Sequence, residues 1–315
     1  MNSKSSRRFS KSIVKMSKQK PSRYFHPIFR SRTSKSEKRT STASSATFSS
    51  LDMEKYFFAF KNSVQNHMAY RFDTFAMFFS ESLSFFALFY LWSSIYRQGG
   101  QIGNYSFPDI VLYYFAANFI ALVIKGTDVA WNVGDEIRLG KIVGVMLRPI
   151  SYSKYKFFQV MGSYFFRGIS YFALFALVGA FLFPYLGFVL DPWRAFFSLA
   201  LMGLGGILYF LIFYIVGLTT FWLGLVRGFN FGFMMLVIFL EGGLVPLDLL
   251  PSAITKINDF LPFKHIMFVP ISVFTGRMDA DIWLFLVPAI WIAVFYFFAK
   301  FIFKKGIKAY EGFGI

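Results

Sequence analysis

The chain has 315 residues, 56% of them hydrophobic, 22% aromatic and only 16% charged, against roughly 25% charged in an average soluble domain. With 46 Phe and so few charges it cannot cover a water-facing surface, so a multi-span helical membrane protein replaces the two soluble domains that length alone suggests. The absence of Cys excludes disulfide frameworks, Cys-ligated zinc, iron–sulfur clusters and Cys nucleophiles, and leaves the redox compartment open.

The formal net charge of +17 is concentrated at the start, where residues 1–50 hold 13 Lys/Arg against the single acid Glu37. Residues 1–51 form a basic, Ser-rich tail with little periodic apolar surface, and are expected to be disordered. The tail lacks the apolar run of a secretory signal. Three readings of it stay open: a polybasic segment against an anionic membrane face, an organellar transit peptide, or a dispensable extension with Met53 as a second start. The domain proper, 52–315, opens with an amphipathic run over 52–73. Phe57, Phe60, Val64, Met68 and Phe72 recur at three- and four-residue spacing with Lys55, Lys61 and Arg71 between them, which predicts a helix lying in the membrane interface.

Crossing a hydrocarbon core of about 30 Å takes about 20 apolar residues as helix. Six runs qualify, at 74–96, 108–125, 165–184, 195–222, 228–245 and 281–303. They lack period-2 alternation, so helices rather than barrel strands are predicted. Lys/Arg cluster on one side: Arg138, Lys141, Arg148, Lys154 and Lys156 between spans two and three, with Lys125 at the edge, then Arg227, then Lys300, Lys304, Lys305 and Lys308. The positive-inside rule therefore places both termini in the cytoplasm.

The loop over 126–164 carries a short helix. Its acids Asp135 and Glu136 suit the positive end of a helix dipole. Ile137, Ile142, Val145 and Met146 give it an apolar side, and Arg148-Pro149 ends it. Such a helix is either a docking knob for a partner or a plain interfacial loop. Gly224, Gly228 and Gly232 follow at four-residue spacing, which lets another helix approach closely, unless they are three unrelated glycines of a kind common in membrane helices. The Gly- and Pro-interrupted but apolar stretch from Glu241 to Arg277 predicts re-entrant or surface-lying helices capping the outer side. Ionisable residues inside spans default to functional readings, which makes Glu81 and Glu241 candidates for a translocation path. Arg167 is expected to snorkel to the cytoplasmic headgroups.

No catalytic residue is assigned. The histidines, His26, His67 and His265, fall in the tail, on the interfacial helix and in the outer loop, so no His-based metal site or triad is predicted. No phosphate-binding loop occurs: Gly134 and Gly140-Lys141 have the wrong spacing, and Ile142 replaces the hydroxyl residue that would bind magnesium. The tail's position beside a span favours phospholipid over nucleic acid as its polyanion. A membrane-embedded lipid-modifying enzyme and a non-ATP-driven channel or scaffold are the other classes weighed.

Several motifs stand in a definite order. Met53-Glu-Lys-Tyr-Phe-Phe-Ala-Phe-Lys is followed by Ala69-Tyr-Arg-Phe-Asp73. Glu136-Ile-Arg-Leu-Gly140-Lys then leads to Leu147-Arg148-Pro149-Ile150-Ser151. Pro246-Leu-Asp-Leu-Leu-Pro251, Leu261-Pro-Phe263 and Gly276-Arg277 come last. In this order, within a six-span plan, they resemble the membrane-spanning subunit of ABC-2 type ABC transporters, the ABC-2 family transporter proteins. The resemblance implies an all-α integral membrane fold of the type V ABC exporter kind: six transmembrane helices, an N-terminal interfacial helix, a cytoplasmic coupling helix and outer re-entrant helices. It implies an ATPase-coupling interface at Asp135, Glu136, Ile137, Arg138, Leu139, Gly140, Lys141, Ile142 and Arg148. It also implies an ATP-binding cassette partner that carries ATP and Mg, with no cofactor in this chain, and a second permease subunit, identical or paralogous. A bacterial inner membrane is the expected location, or an organellar one if the tail is a transit peptide.

Overall fold

The computed structural model describes residues 43–99, 102–125, 128–224 and 227–311. The chain divides into two units, Met1–Thr47 and Phe48–Ile315. Of the first, only residues 43–47 are described, as helix, and the expectation of disorder for residues 1–42 lies outside the described residues. The second unit is helical, and among the described residues the only bridge is an isolated contact between Ile102 and Tyr105.

Helix α1 (Ala43–Ala69) begins inside the stretch assigned to the tail and leads into α2 (Arg71–Arg97). Then come α3 (Phe107–Ile120), a π-helical turn over Ala121–Lys125, α4 (Val129–Arg138) and α5 (Lys141–Met146). The long helices α6 (Tyr152–Leu186) and α7 (Pro192–Leu218) follow, with the short α8 (Thr220–Leu223) and α9 (Arg227–Leu240). The chain closes with α10 (Ser252–Phe260), α11 (Phe268–Phe274) and α12 (Leu286–Glu311).

Local signals place the starts. Ser106 and Asp109 form a reciprocal capping box at α3, and Asp191 accepts the Trp193 and Arg194 N–H groups at α7, in each case with Pro in the first turn. Helix α7 is the central post, with α4, α11 and α12 packed on it. Its core includes Leu208, Phe210, Tyr214 and Leu218, all buried. Two thirds of the most apolar stretch in each of the segments Phe107–Arg138 and Pro192–Leu223 is buried, whereas none of it is in Thr74–Arg97. Phe75, Phe79, Leu83, Phe86 and Tyr90 accordingly form an exposed stripe along α2.

Among the described residues five segments are long and apolar enough to cross a membrane: Thr74–Arg97, Phe107–Arg138, Tyr152–Leu186, Pro192–Leu223 and Ile282–Tyr310. The sixth predicted span is shorter than expected. Helix α9 ends at Leu240, so its 14 residues reach only about 21 Å. Glu241 closes it and the chain turns at Gly242, which takes a left-handed φ of 85°. The side chain of Asn258 donates to the Leu240 carbonyl, Tyr113 to that of Gly242 and Tyr114 to that of Leu244. The carbonyls at this helix end thus find partners in other elements. The segments after it, α10 and α11, are short, and α11 is buried against α7 through Val269, Ile271 and Val273.

In α1, Phe57, Met68 and, past the corner, Phe72 face outward, while Tyr56, Ala59 and Ser63 face the protein. The apolar stripe read from the sequence is thus shared: Phe57, Met68 and Phe72 are exposed, as suits an interfacial helix, while Phe60 and Val64 are half-buried and Phe60 packs on Phe165 of α6. The two helices pack closely: a Cβ on Gly162 of α6 would lie 2.6 Å from the Phe60 carbonyl oxygen.

Candidate functional site

The loop motif between the second and third spans folds as two helices, α4 and α5, and not as one over 135–147. Gly140 separates them with φ 71°, a conformation that a side chain would strain. Asp135 and Glu136 consequently lie in the later turns of α4 and do not meet a helix N-terminus. Asp135 pairs with Arg138 at 3.2 Å on the surface. Glu136 turns inward instead. Its carboxylate accepts from Lys156 Nζ at 2.6 Å and from the Tyr152 hydroxyl at 2.7 Å, and Lys156 also donates to Gln159 at 3.0 Å. The Lys156 side chain is only 5% exposed, so this pair is largely desolvated and serves more to fix geometry than to add stability.

The apolar side of the motif divides. Ile137 (2% exposed) and Ile142 (0%) are buried within the chain. The outer face consists of Leu139, Met146 and Leu147, with Arg138, Lys141 and Arg148 among them, all exposed. This knuckle is held from three sides. A Cβ on Gly217 of α7 would sit 2.7 Å from Val133 and 2.9 Å from the Ala130 carbonyl oxygen, so α4 and α7 touch nearly backbone to backbone. Tyr310 of α12 donates to the Ile137 carbonyl at 3.3 Å. Tyr56 of α1 accepts the Ser151 N–H at 3.0 Å. The knuckle and the segment that follows it thus contact α1, α7 and α12.

Glu81 and Glu241 are not brought together. Glu81 lies on the exposed side of α2, where its backbone carbonyl accepts from Asn118. Glu241 is completely buried and pairs with Lys125 at the end of the π-helical turn. Arg167, expected at the headgroups, is buried too, with 6% exposure. Gly224 lies outside α9, whereas Gly228 and Gly232 share one face of it. A Cβ on any of the three would meet nothing within 4 Å, so no helix among the described residues packs there.

At the opposite end from the knuckle, Arg277 stacks over the Tyr105 ring at 3.6 Å and lies 3.7 Å from Asp248 and 3.9 Å from Asp109. Tyr105 donates to Asp248 at 2.8 Å, and burial together with that bond pushes its hydroxyl pKa up, so it stays a donor. This clasp ties the segment after α9 to the start of α3. The sequence reading singled out Gly276-Arg277 and the Asp248 motif but missed Tyr105, Lys125, Tyr152 and Lys156 as partners. Lys125 carried a usable signal, a lone cation ending a long apolar run.

A family model described as ABC-2 family transporter protein matches residues 82–314. No curated protein and no solved structure matches the chain.

Proposed function

The chain belongs to the ABC-2 transporter family, and on that premise we propose that it is the membrane-spanning permease subunit of an ATP-driven exporter. Its ATP and Mg are bound by an ATP-binding cassette partner that docks on the α4–α5 knuckle. Closure of that partner pushes the knuckle, and the helices braced on it rock between inward- and outward-facing states. Nucleotide shifts that equilibrium only by its differential affinity for the two states. Six crossings result if α9 reaches to mid-bilayer and the buried segments after it complete the passage as re-entrant elements. Both termini then face the cytoplasm, in keeping with the Lys/Arg bias. A second permease subunit, identical or paralogous, faces the first, and an amphipathic, lipid-like substrate suits the aromatic walls.

The observation that carries this reading is the knuckle itself: an apolar and basic face, exposed on the outside and rigidly braced within. Arg138 and Leu147 test it better than Glu136, whose carboxylate is spent inside the chain. We expect Arg138→Glu combined with Leu147→Asp to abolish co-purification of the ATPase and substrate-stimulated hydrolysis, while the chain inserts and melts as the wild type does. Normal transport per ATP in that variant would overturn the coupling role.

A further inference from the structure

A crevice of about 420 Å³ opens between α6 and α7, with α3 and α11 behind it. The two long helices touch near the knuckle, where Phe157 meets Phe210 edge to face at 5.5 Å. The crevice lies toward their other ends, which residues 187–191 join. Phe115, Ile120 and Ile271 form its buried back wall, and Phe172, Phe196 and Leu199 its exposed lips. Phe175 packs on Phe115 and Phe119, with ring centroids 4.9 and 5.1 Å apart, and Phe183 meets Phe115 at 5.7 Å. Tilted ring contacts of this kind hold the wall in shape.

Polarity and dimensions select what fits. One described lining residue is polar, Ser198, and its hydroxyl already donates to the Pro270 carbonyl at 2.8 Å. No charged side chain lines the crevice among the described residues, and at its far end Arg194 is already paired with Asp191 and Asp279. A water molecule needs two to four polar partners to stay in such a space, so the lining suits hydrocarbon. The lining runs from Phe172 to Phe183 on α6 and from Pro192 to Met202 on α7, about 15 Å at 1.5 Å per residue. That is half of a hydrocarbon core of about 30 Å, the depth of one leaflet. The exposed, amphipathic Trp193 at the start of α7 suits the membrane interface and marks the upper end. Spread over about 15 Å, 420 Å³ gives a mean bore of about 28 Å², about 6 Å across, too narrow for a helix of about 10–12 Å diameter.

We propose that this crevice seats one acyl chain of a bilayer phospholipid, entering sideways between α6 and α7 from the leaflet farther from the knuckle. The headgroup stays outside, at the level of Trp193, because no unspent polar side chain lines the crevice to receive it. The site therefore selects the chain and not the class of headgroup. A chain gains no hydrophobic free energy by leaving fluid lipid, which is as apolar as the crevice. It gains dispersion contacts with rings held at protein packing density. The site goes beyond the transport reading and does not depend on an ATPase partner.

The test is photo-cross-linking of the full chain in phosphatidylcholine nanodiscs that carry a trace of phosphatidylcholine with a diazirine at mid-chain. Cross-links should map to the back wall, between Phe115 and Ile120 of α3, as well as to the lips. Labelling confined to Phe172, Phe196 and Leu199 would mean lipid passing over the surface and overturns the proposal, as does no labelling at all. Ala195→Phe and Ala116→Phe each fill the crevice, from opposite walls, so one remains informative should the other fail to fold. Either should lower back-wall labelling at least about tenfold, a loss of about 1.4 kcal/mol of binding. The melting temperature should hold or rise, and labelling of the exposed α2 stripe at Phe75 and Phe79 should not change. Back-wall labelling that persists in a folded filled variant overturns the site. Mid-chain probes with ethanolamine or glycerol headgroups should label the same residues, and loss of back-wall labelling with either one overturns the chain-only selection.

Discussion

The pairing of Lys125 with Glu241 joins a π-helical turn to the end of α9, with Glu241 completely buried and the Lys125 side chain 20% exposed. Removing one partner leaves the other charge buried and alone, at a cost of about 3–5 kcal/mol, whereas replacing both with apolar residues of similar volume is close to neutral. Lys125→Met and Glu241→Leu should therefore each lower the melting temperature sharply and the double variant restore it. If the double variant is stable but does not transport, the pair serves the transport cycle as well as the fold. His265 behaves differently. It is 5% exposed, neither ring nitrogen has a hydrogen-bond partner among the described residues, and burial, assisted by Lys264, lowers its pKa from 6.5 to about 4. Between those two values the unfolded chain takes up a proton that the folded chain refuses, so stability falls as pH drops through this window and is unaffected by His265 above it. Melting curves from pH 8 to about 4 should show a steeper loss for the wild type than for His265→Gln; parallel curves would refute the assignment.

Among elements, the contact of α1 with α6 rests on the absence of a side chain at Gly162. The Phe60 carbonyl 2.6 Å from a Cβ there is backbone and cannot rotate away. Gly162→Ala should cost about 1–3 kcal/mol through forced separation of the two helices, seen as a lower melting temperature and faster proteolysis near residue 60. Gly228 and Gly232 make the opposite prediction. No described residue lies within 4 Å of a Cβ at either, so Gly228→Leu or Gly232→Leu should leave the isolated chain's melting temperature unchanged or raise it. If a second permease subunit packs on that face, the same substitutions should break the permease pair in cross-linking and mass measurements. An intact pair would place the interface elsewhere.

For the molecule as a whole, the sequence alone determined the class. A bilayer demands long uninterrupted apolar helices, and the demand can be read residue by residue without knowing which helix touches which. The same holds for the amphipathic run within α1 and for the likeness to the ABC-2 family. Tertiary structure decided what those patterns could not. The break at Gly140 and the inward turn of Glu136 depend on Lys156 and Tyr152, both on another helix. The shortness of α9 depends on Glu241 finding Lys125 and on the partners from α3 and α10 that accept its abrupt end. Periodicity reports the medium a helix faces, because transfer free energy sums over residues independently. Pairing between distant side chains does not sum that way: a buried charge or an open carbonyl is tolerated only where the fold brings its particular partner.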